Sequence, residues 1–292
     1  MQSILKTVEK HIPVLPKQSI EFLNPKDGKK FIDATLGDAG HTQLMLEKGA
    51  IVLGIDADSE NVDKAKALSP NLTVVHGNFA KLSQIASANN FKQVDGILFD
   101  LGYSSTQLQD SKKGISFLND GPLDMRLDPI NQGVTAADLL KVLTVKQLYE
   151  LFIEFGQEKR ARLIADAIVR ARLVRPIETT AQLAQIVESV SPRRSGDKIH
   201  PATKVFQSLR IAINSELDNL EEALLQSVEL LKPGGVLVVI SFHSLEDKIV
   251  KNFIRSNFLL KNLTIKPIVP DNIEVQSNRR SRSAKLRAAQ KL

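Results

Sequence analysis

The chain has 292 residues, 42% of them hydrophobic, enough for one large domain or two ordinary ones with a real core. It has no cysteine, no run of 18 uncharged apolar residues, and charges every few positions in its first seventeen residues. Disulfides, thiolate metal sites, a thiol nucleophile, a membrane-spanning helix and a secretory signal are therefore excluded, and a cytoplasmic location is expected. Lys and Arg number 39 against 33 Asp and Glu; residues 276–292 hold six basic and no acidic residues, and so carry the entire excess. They read as a basic tail for polyphosphate contact.

Short apolar runs recur at Lys30–Ala34, Ile51–Asp56, Leu72–His76 and Val94–Asp100. Helical periodicity follows the first three, over 41–49, 59–68 and 80–89, so they read as βαβ units of a parallel sheet. Beyond Asp100 the pattern turns helical, with candidates at Ala137–Leu143, Val145–Phe155, Lys159–Leu173 and Thr180–Val190. One long helix is expected over 201–231, stopped by Lys232-Pro-Gly-Gly235 ahead of a strand at Val236–Ser241. The simplest topology is an α/β domain made of 1–108 and 212–292. A helical domain, 109–211, is inserted between its fourth and fifth strands.

Three carboxylates end three of the predicted strands: Asp33, Asp56 and Asp100. Open parallel sheets bind ligands beyond the carboxyl ends of their strands, where strand order reverses. Asp33 opens Asp33-Ala-Thr-Leu-Gly37-Asp38-Ala39-Gly40-His41, a turn of small residues that lets backbone approach a ligand before a helix begins. Asp56 follows Gly37 by 19 residues, where a carboxylate can accept two ribose hydroxyl protons. A nicotinamide dinucleotide wants G-x-G-x-x-G against its pyrophosphate, and the third glycine is missing here. S-adenosylmethionine has no pyrophosphate and carries cationic centres that suit Asp33, so it is the favoured ligand.

Longer motifs narrow the reading. Asp100-Leu-Gly-Tyr-Ser-Ser-Thr-Gln-Leu108, the segment Gly114–Leu127 with its Gly-Pro-Leu-Asp-Met-Arg-Leu ending, His200–Leu217 and Val239-Ile-Ser-Phe-His-Ser-Leu-Glu-Asp-Lys248 resemble the bacterial 16S rRNA (cytosine-N4) methyltransferase family, called MraW. The resemblance runs from His11 to Arg287. It implies an α/β, Rossmann-like class I S-adenosylmethionine-dependent methyltransferase sheet with an inserted all-helical domain. It also implies methylation of the exocyclic amine of a decoding-centre cytosine in 16S rRNA of the small ribosomal subunit. Carried over by position, it implies cofactor contacts at Ala39, Gly40, His41, Asp56, Phe79, Asp100 and Gln107. Ala39 stands where glycine is usual, which is harmless only if its φ stays below zero.

Methylating a pyrimidine at C5 normally needs a cysteine adduct at C6, a route this chain cannot take. An amine needs only an acceptor for its N–H and an in-line approach, and Asp100 is the candidate catalytic acceptor. Ser244 reads as the N-cap of a following helix, with His243 either packing or touching substrate, and His200 as a residue that starts a helix. Asp120, Asp124 and Arg126 either order a loop over the cofactor or pair with each other. RNA contact is expected from Arg279, Arg280, Arg282, Lys285 and Arg287 of the tail, and from Lys159, Arg160, Arg162, Arg170, Arg172, Arg193 and Arg194 of the insertion. Tyr103 is the aromatic best placed to stack on a flipped base. Removing 276–292 is expected to weaken RNA binding while cofactor binding survives. Neither a metal nor a membrane partner is expected, and a homodimer stays open. The rival readings are a non-catalytic ribosome-assembly factor with a methyltransferase-like fold and an NAD-dependent oxidoreductase.

Overall fold

The computed structural model describes residues 12–193, 195–196 and 199–292; His11 and Arg194 lie outside them. The chain forms two compact units. One runs up to Ser104 and resumes at Glu221, and the other is Ser105–Leu220, extending beyond the expected 109–211 at both ends. In chain order the helices and strands are α1 (Pro16–Leu23), β1 (Lys30–Asp33), α2 (Gly40–Leu46), β2 (Ile51–Asp56), α3 (Ser59–Ala65), β3 (Leu72–His76), α4 (Leu82–Ala88) and β4 (Val94–Asp100). Next come α5 (Ser105–Gln109), α6 (Ala136–Val142), α7 (Val145–Glu154), α8 (Ala161–Val174), α9 (Thr180–Val190), α10 (Thr203–Asn214) and α11 (Glu216–Leu230). The chain ends with β5 (Leu231–Ser241), α12 (Ser244–Ser256), β6 (Leu260–Asn262), α13 (Asn272–Ser277) and β7 (Lys285–Lys291).

Among the described residues, seven strands form one sheet, in the order β3-β2-β1-β4-β5-β7-β6. β1 to β5 are mutually parallel, and β7 runs antiparallel between β5 and β6. The inner strands read as unbroken apolar runs because helices cover both faces: Val52, Leu53, Ile55, Ile97, Leu98 and Phe99 are fully buried. Strand order reverses at β1, which pairs with β2 on one side and β4 on the other. The tips of β1 and β4, Asp33 and Asp100, therefore flank the place where such sheets bind ligands. This is the class I, Rossmann-like arrangement.

The second unit packs α6 to α10 around Leu140, Leu148, Phe152, Ile164, Ile168, Leu183 and Leu209. Thr135, Thr144 and Thr179 start three of these helices, each in a capping box with the side chain three residues on. Arg172 donates to the carbonyls of Leu140 and Leu143 at the end of α6, and Arg160 to that of Val190. These two cations close helix ends, which is what the frayed carbonyls of a helix C-terminus demand.

Three expectations are corrected. The long helix over 201–231 is two helices, because Ser215 adopts a left-handed conformation at φ 47°. Asn214 is the reason: buried, it donates to the carbonyls of Met125 and Arg210 and accepts from Leu127 N–H and Gln132. Arg210 then grips Glu216 through two bonds of 2.8 and 2.9 Å across the break. Second, the basic segment is no tail. Residues 285–291 are β7, with Leu286, Arg287, Ala288 and Ala289 buried in the sheet.

Third, Lys285 and Arg287 are not free tail cations: Arg287 Nε lies 2.7 Å, and Lys285 Nζ 3.2 Å, from the Asp247 carboxylate. Burial works against the Asp247 charge, yet these two cations hold its carboxyl below the usual range. Truncation at 276 would strip β5 and β6 of their shared neighbour, so it cannot separate RNA binding from folding.

Candidate active site at the strand tips

The loop from β1 to α2 is pinned on both sides. Ala34 N–H donates to Leu98 O on β4 and Leu36 N–H to Ile55 O on β2, each at 2.9 Å. Gly37, at φ 51°, turns the chain so that its N–H reaches Asp56 Oδ2 at 2.7 Å, a conformation glycine adopts without strain. Ala39 follows at φ 60° and ψ 23°, left-handed and buried. The condition under which its methyl would be harmless therefore fails, and the loop holds alanine in a conformation that costs about 1–2 kcal/mol.

Asp33 sits beneath this loop, 1% exposed. Thr42 Oγ1 donates to its Oδ2 at 2.8 Å and Thr35 N–H to its Oδ1 at 3.2 Å. Burial pushes the Asp33 carboxyl up, against the pull of His41 and those two hydrogen bonds. Asp100 is tied by its main chain, its N–H donating to Thr35 Oγ1 at 2.6 Å. Its Oδ2 lies 3.5 Å from Nε2 of buried His41, and its Oδ1 is buried with no hydrogen-bond partner. Asp33, His41 and Asp100 thus form one cluster at the reversal of strand order.

Asp56 is half-buried and already accepts three donors: Gly37 N–H and Asn61 Nδ2 on Oδ2, and Asp58 N–H on Oδ1. A carboxylate has about four acceptor positions, so room remains for one further hydroxyl rather than the two expected. Burial pushes its carboxyl up to about 6 despite these bonds. Phe79 begins a 3-10 turn after β3, half-buried, its ring edge-on to Phe99 at 5.7 Å. Tyr103 is half-buried in the loop after β4, where Gly102 is needed because a Cβ would lie 2.6 Å from the Phe242 ring. Gln107 is buried on α5, in the second unit.

The helix after β5 is capped by His243, not by Ser244, which is the first residue of α12. Glu246 N–H faces Nδ1 of His243, and Glu246 accepts from Phe242 and His243 N–H groups in return. His200 likewise caps locally, accepting from Ala202 N–H and meeting Glu188 at 2.7 Å. Asp124 and Arg126 pair through two bonds of 2.7 and 2.8 Å while Arg126 also holds the Gln132 carbonyl, so this pairing itself orders the loop. Thr35 and Thr42, which hold the Asp33 carboxylate, Thr35 also accepting from the main-chain N–H of Asp100, escaped sequence reasoning. Both lie inside the quoted small-residue turn and its helix, and a hydroxyl among residues chosen for smallness was the available signal.

A sequence model of the MraW methylase family matches residues 8–292. The chain belongs to that family. A relative named ribosomal RNA small subunit methyltransferase H, from Thermomicrobium roseum, is 47% identical over 307 residues, covering 97% of this chain and 94% of its own. Relatives of the same name from Deinococcus radiodurans and Carboxydothermus hydrogenoformans are 47% and 44% identical, covering 96% and 97% of this chain and 89% and 98% of theirs. A solved rRNA methylase from Streptococcus thermophilus matches at 13% identity and a TM-score of 0.43, over 94% of this chain and 95% of that one.

The strain at Ala39 makes a prediction. Ala39→Gly relieves about 1–2 kcal/mol but loses a buried methyl worth about 0.8 and gains unfolded-state freedom worth about 0.4–1. Its melting temperature should therefore stay within about 2 °C. Ala39→Val puts a β-branched side chain at a left-handed position and should lower stability by at least about 2 kcal/mol. Equal losses in calorimetry of the two variants would refute the assigned backbone conformation.

Proposed function

We propose that this chain moves a methyl group from S-adenosylmethionine to N4 of a decoding-centre cytosine in 16S rRNA of the small ribosomal subunit, in the cytoplasm. The observation that carries the reading is the Oδ1 of Asp100, buried and without a partner where strand order reverses, in a chain of a methylase family. S-adenosylmethionine is the cofactor; bound at the strand tips, it supplies an electrophilic methyl carbon. The donor set fits it. Asp56 has one acceptor position for a ribose hydroxyl, and Phe79, braced on Phe99, offers a ring to the adenine. Ala39, Gly40 and His41 form the loop-to-helix join beside it, and Gln107 is carried as a contact by family position.

The exocyclic amine of cytosine is a poor nucleophile because its lone pair is delocalised into the ring. A carboxylate accepting one of its N–H bonds returns electron density to nitrogen. Asp100 Oδ1 would be that acceptor: as the methyl carbon leaves sulfur for N4, releasing the neutral thioether, the surplus proton on N4 would pass to the carboxylate, and thence to solvent. Tyr103 stacks on the displaced base. No cysteine is needed, and none is present.

On the RNA side, Arg279 and Arg282 remain of the five cations named in the last segment. Both are exposed and three apart on a 3-10 turn, hence on one face. With Val275 and Gln276 they line a cavity of about 590 Å³. Arg280 is half-buried: burial lowers its pKa, and the Asp38 carboxylate of the β1–α2 loop opposes that.

Incubating small-subunit particles with the protein and labelled donor, then digesting the rRNA for mass spectrometry, should yield N4-methylcytidine. Label on another base or at carbon refutes the N4 assignment, and binding without transfer favours the assembly factor.

Arg279→Gln with Arg282→Gln should reduce the slope of log affinity against log salt by about 1.4, as expected for two lost single-strand phosphate contacts. The measurement is RNA titration at several ionic strengths, and an unchanged slope assigns the RNA surface elsewhere.

A ribose hydroxyl donates more strongly to ionised than to protonated Asp56, whose carboxyl is pushed up to about 6 by burial. Donor affinity should therefore be flat above about pH 7 and fall by at most tenfold per unit well below pH 6. Asp56→Asn should bind more weakly but lose that dependence, as read by calorimetry between pH 5 and 8.

A further inference from the structure

His41 stands in the loop-to-helix join beside the cofactor, and the chemistry above gives its ring no part in the transfer itself. It is 5% exposed, and neither ring nitrogen has a hydrogen-bond partner. Buried polar groups are nearly always paired, so an exception calls for an explanation in function. Two carboxylates face the ring, Asp33 from β1 and Asp100 from β4. Both Asp33 oxygens are already engaged, by Thr35 and by Thr42 of the same helix. The carboxylate left for Nε2 is Asp100, whose Oδ2 lies 3.5 Å away.

We infer that His41 is a positioning residue for methyl transfer: its Nε2–H holds Oδ2 of Asp100 and thereby aims Oδ1 at the acceptor nitrogen. The inference rests on the methyltransferase reading above. The torsion that turns an Asp carboxyl is broad and nearly two-fold, so the main-chain tie to Thr35 cannot by itself choose which oxygen faces the substrate. A second tie at Oδ2 does choose. The pair is long at 3.5 Å, and such contacts tighten in the loaded enzyme. A catalytic group misplaced by an ångström loses about a hundredfold in rate.

Steady-state transfer to small-subunit particles tests the assignment. At saturating donor, His41→Leu should lower kcat by about a hundredfold, whatever it does to KM for the donor. His41→Gln, whose amide nitrogen can stand near Nε2, should recover most of the rate, whereas His41→Asn, too short to reach Oδ2, should not. In an Asp100→Asn background, His41→Leu should change kcat by less than about threefold, because its partner is already altered. An equal loss from His41→Leu in both backgrounds, or a loss confined to KM, overturns the inference. If His41→Leu does not fold, equal rates for the Gln and Asn variants overturn it. No transfer by the unaltered chain would instead overturn the methyltransferase reading itself.

Discussion

The strand order obliges one loop to serve two neighbours. β1 has β2 on one side and β4 on the other, so the chain leaving its tip crosses the ends of both and must find partners there for its N–H groups. It finds them in Leu98 O, Ile55 O and the Asp56 carboxylate. Asp56 is therefore structural before it is functional: it fastens Gly37 and starts α3 through Asp58. Asp33 fastens the same loop from below. With both carboxylates committed, Asp100 is the strand-tip carboxylate left with a buried oxygen that meets nothing. The division of labour among three similar side chains follows from which backbone donors each can reach.

Much of this was legible in the residues. β2, β3 and β4 begin and end where the apolar runs do, because strands covered on both faces need continuous hydrophobicity and polar residues mark their tips. The corrected elements share a different cause. Nothing in the periodicity of 201–231 marks Ser215 as a break, since the break is made by Asn214 bonding to Met125 and Leu127, nearly ninety positions away. At α12 a histidine took the cap that a serine suggested, because Glu246 completes a box with His243 and not with Ser244. Local propensity was overruled each time by a bond to something distant or by a partner of the wrong expected type.

Charge counting misled for a related reason. Six cations with no acid between residues 276 and 292 resemble a solvated tail, but charge along a sequence says nothing about where the compensating anion stands. Asp247, on α12, pairs with both Lys285 and Arg287 from about forty residues away, and Lys291 Nζ is spent on the Leu231 carbonyl. The alternation that should have betrayed β7 is weak, since Ala288 and Ala289 are short and Arg287 is polar, yet all three are buried. A buried Arg is tolerable here because its carboxylate partner is fixed at 2.7 Å.

The strain at Ala39 fits the same picture of a loop over-determined by its surroundings. A left-handed alanine persists only where neighbouring bonds leave no alternative, and here its N–H donates to Leu36 O while its carbonyl accepts from Gln43, fixing the residue from both sides. Its conformation sets the direction in which α2 departs, and that direction places His41 against Asp100. Relaxing Ala39 to negative φ would turn the first residues of α2 and carry the imidazole away from the carboxylate. The unfavourable backbone, the partnerless ring and the open oxygen of Asp100 are therefore linked, and the geometry that permits amine chemistry at the β4 tip begins with a conformation forced on a residue five positions beyond Ala34.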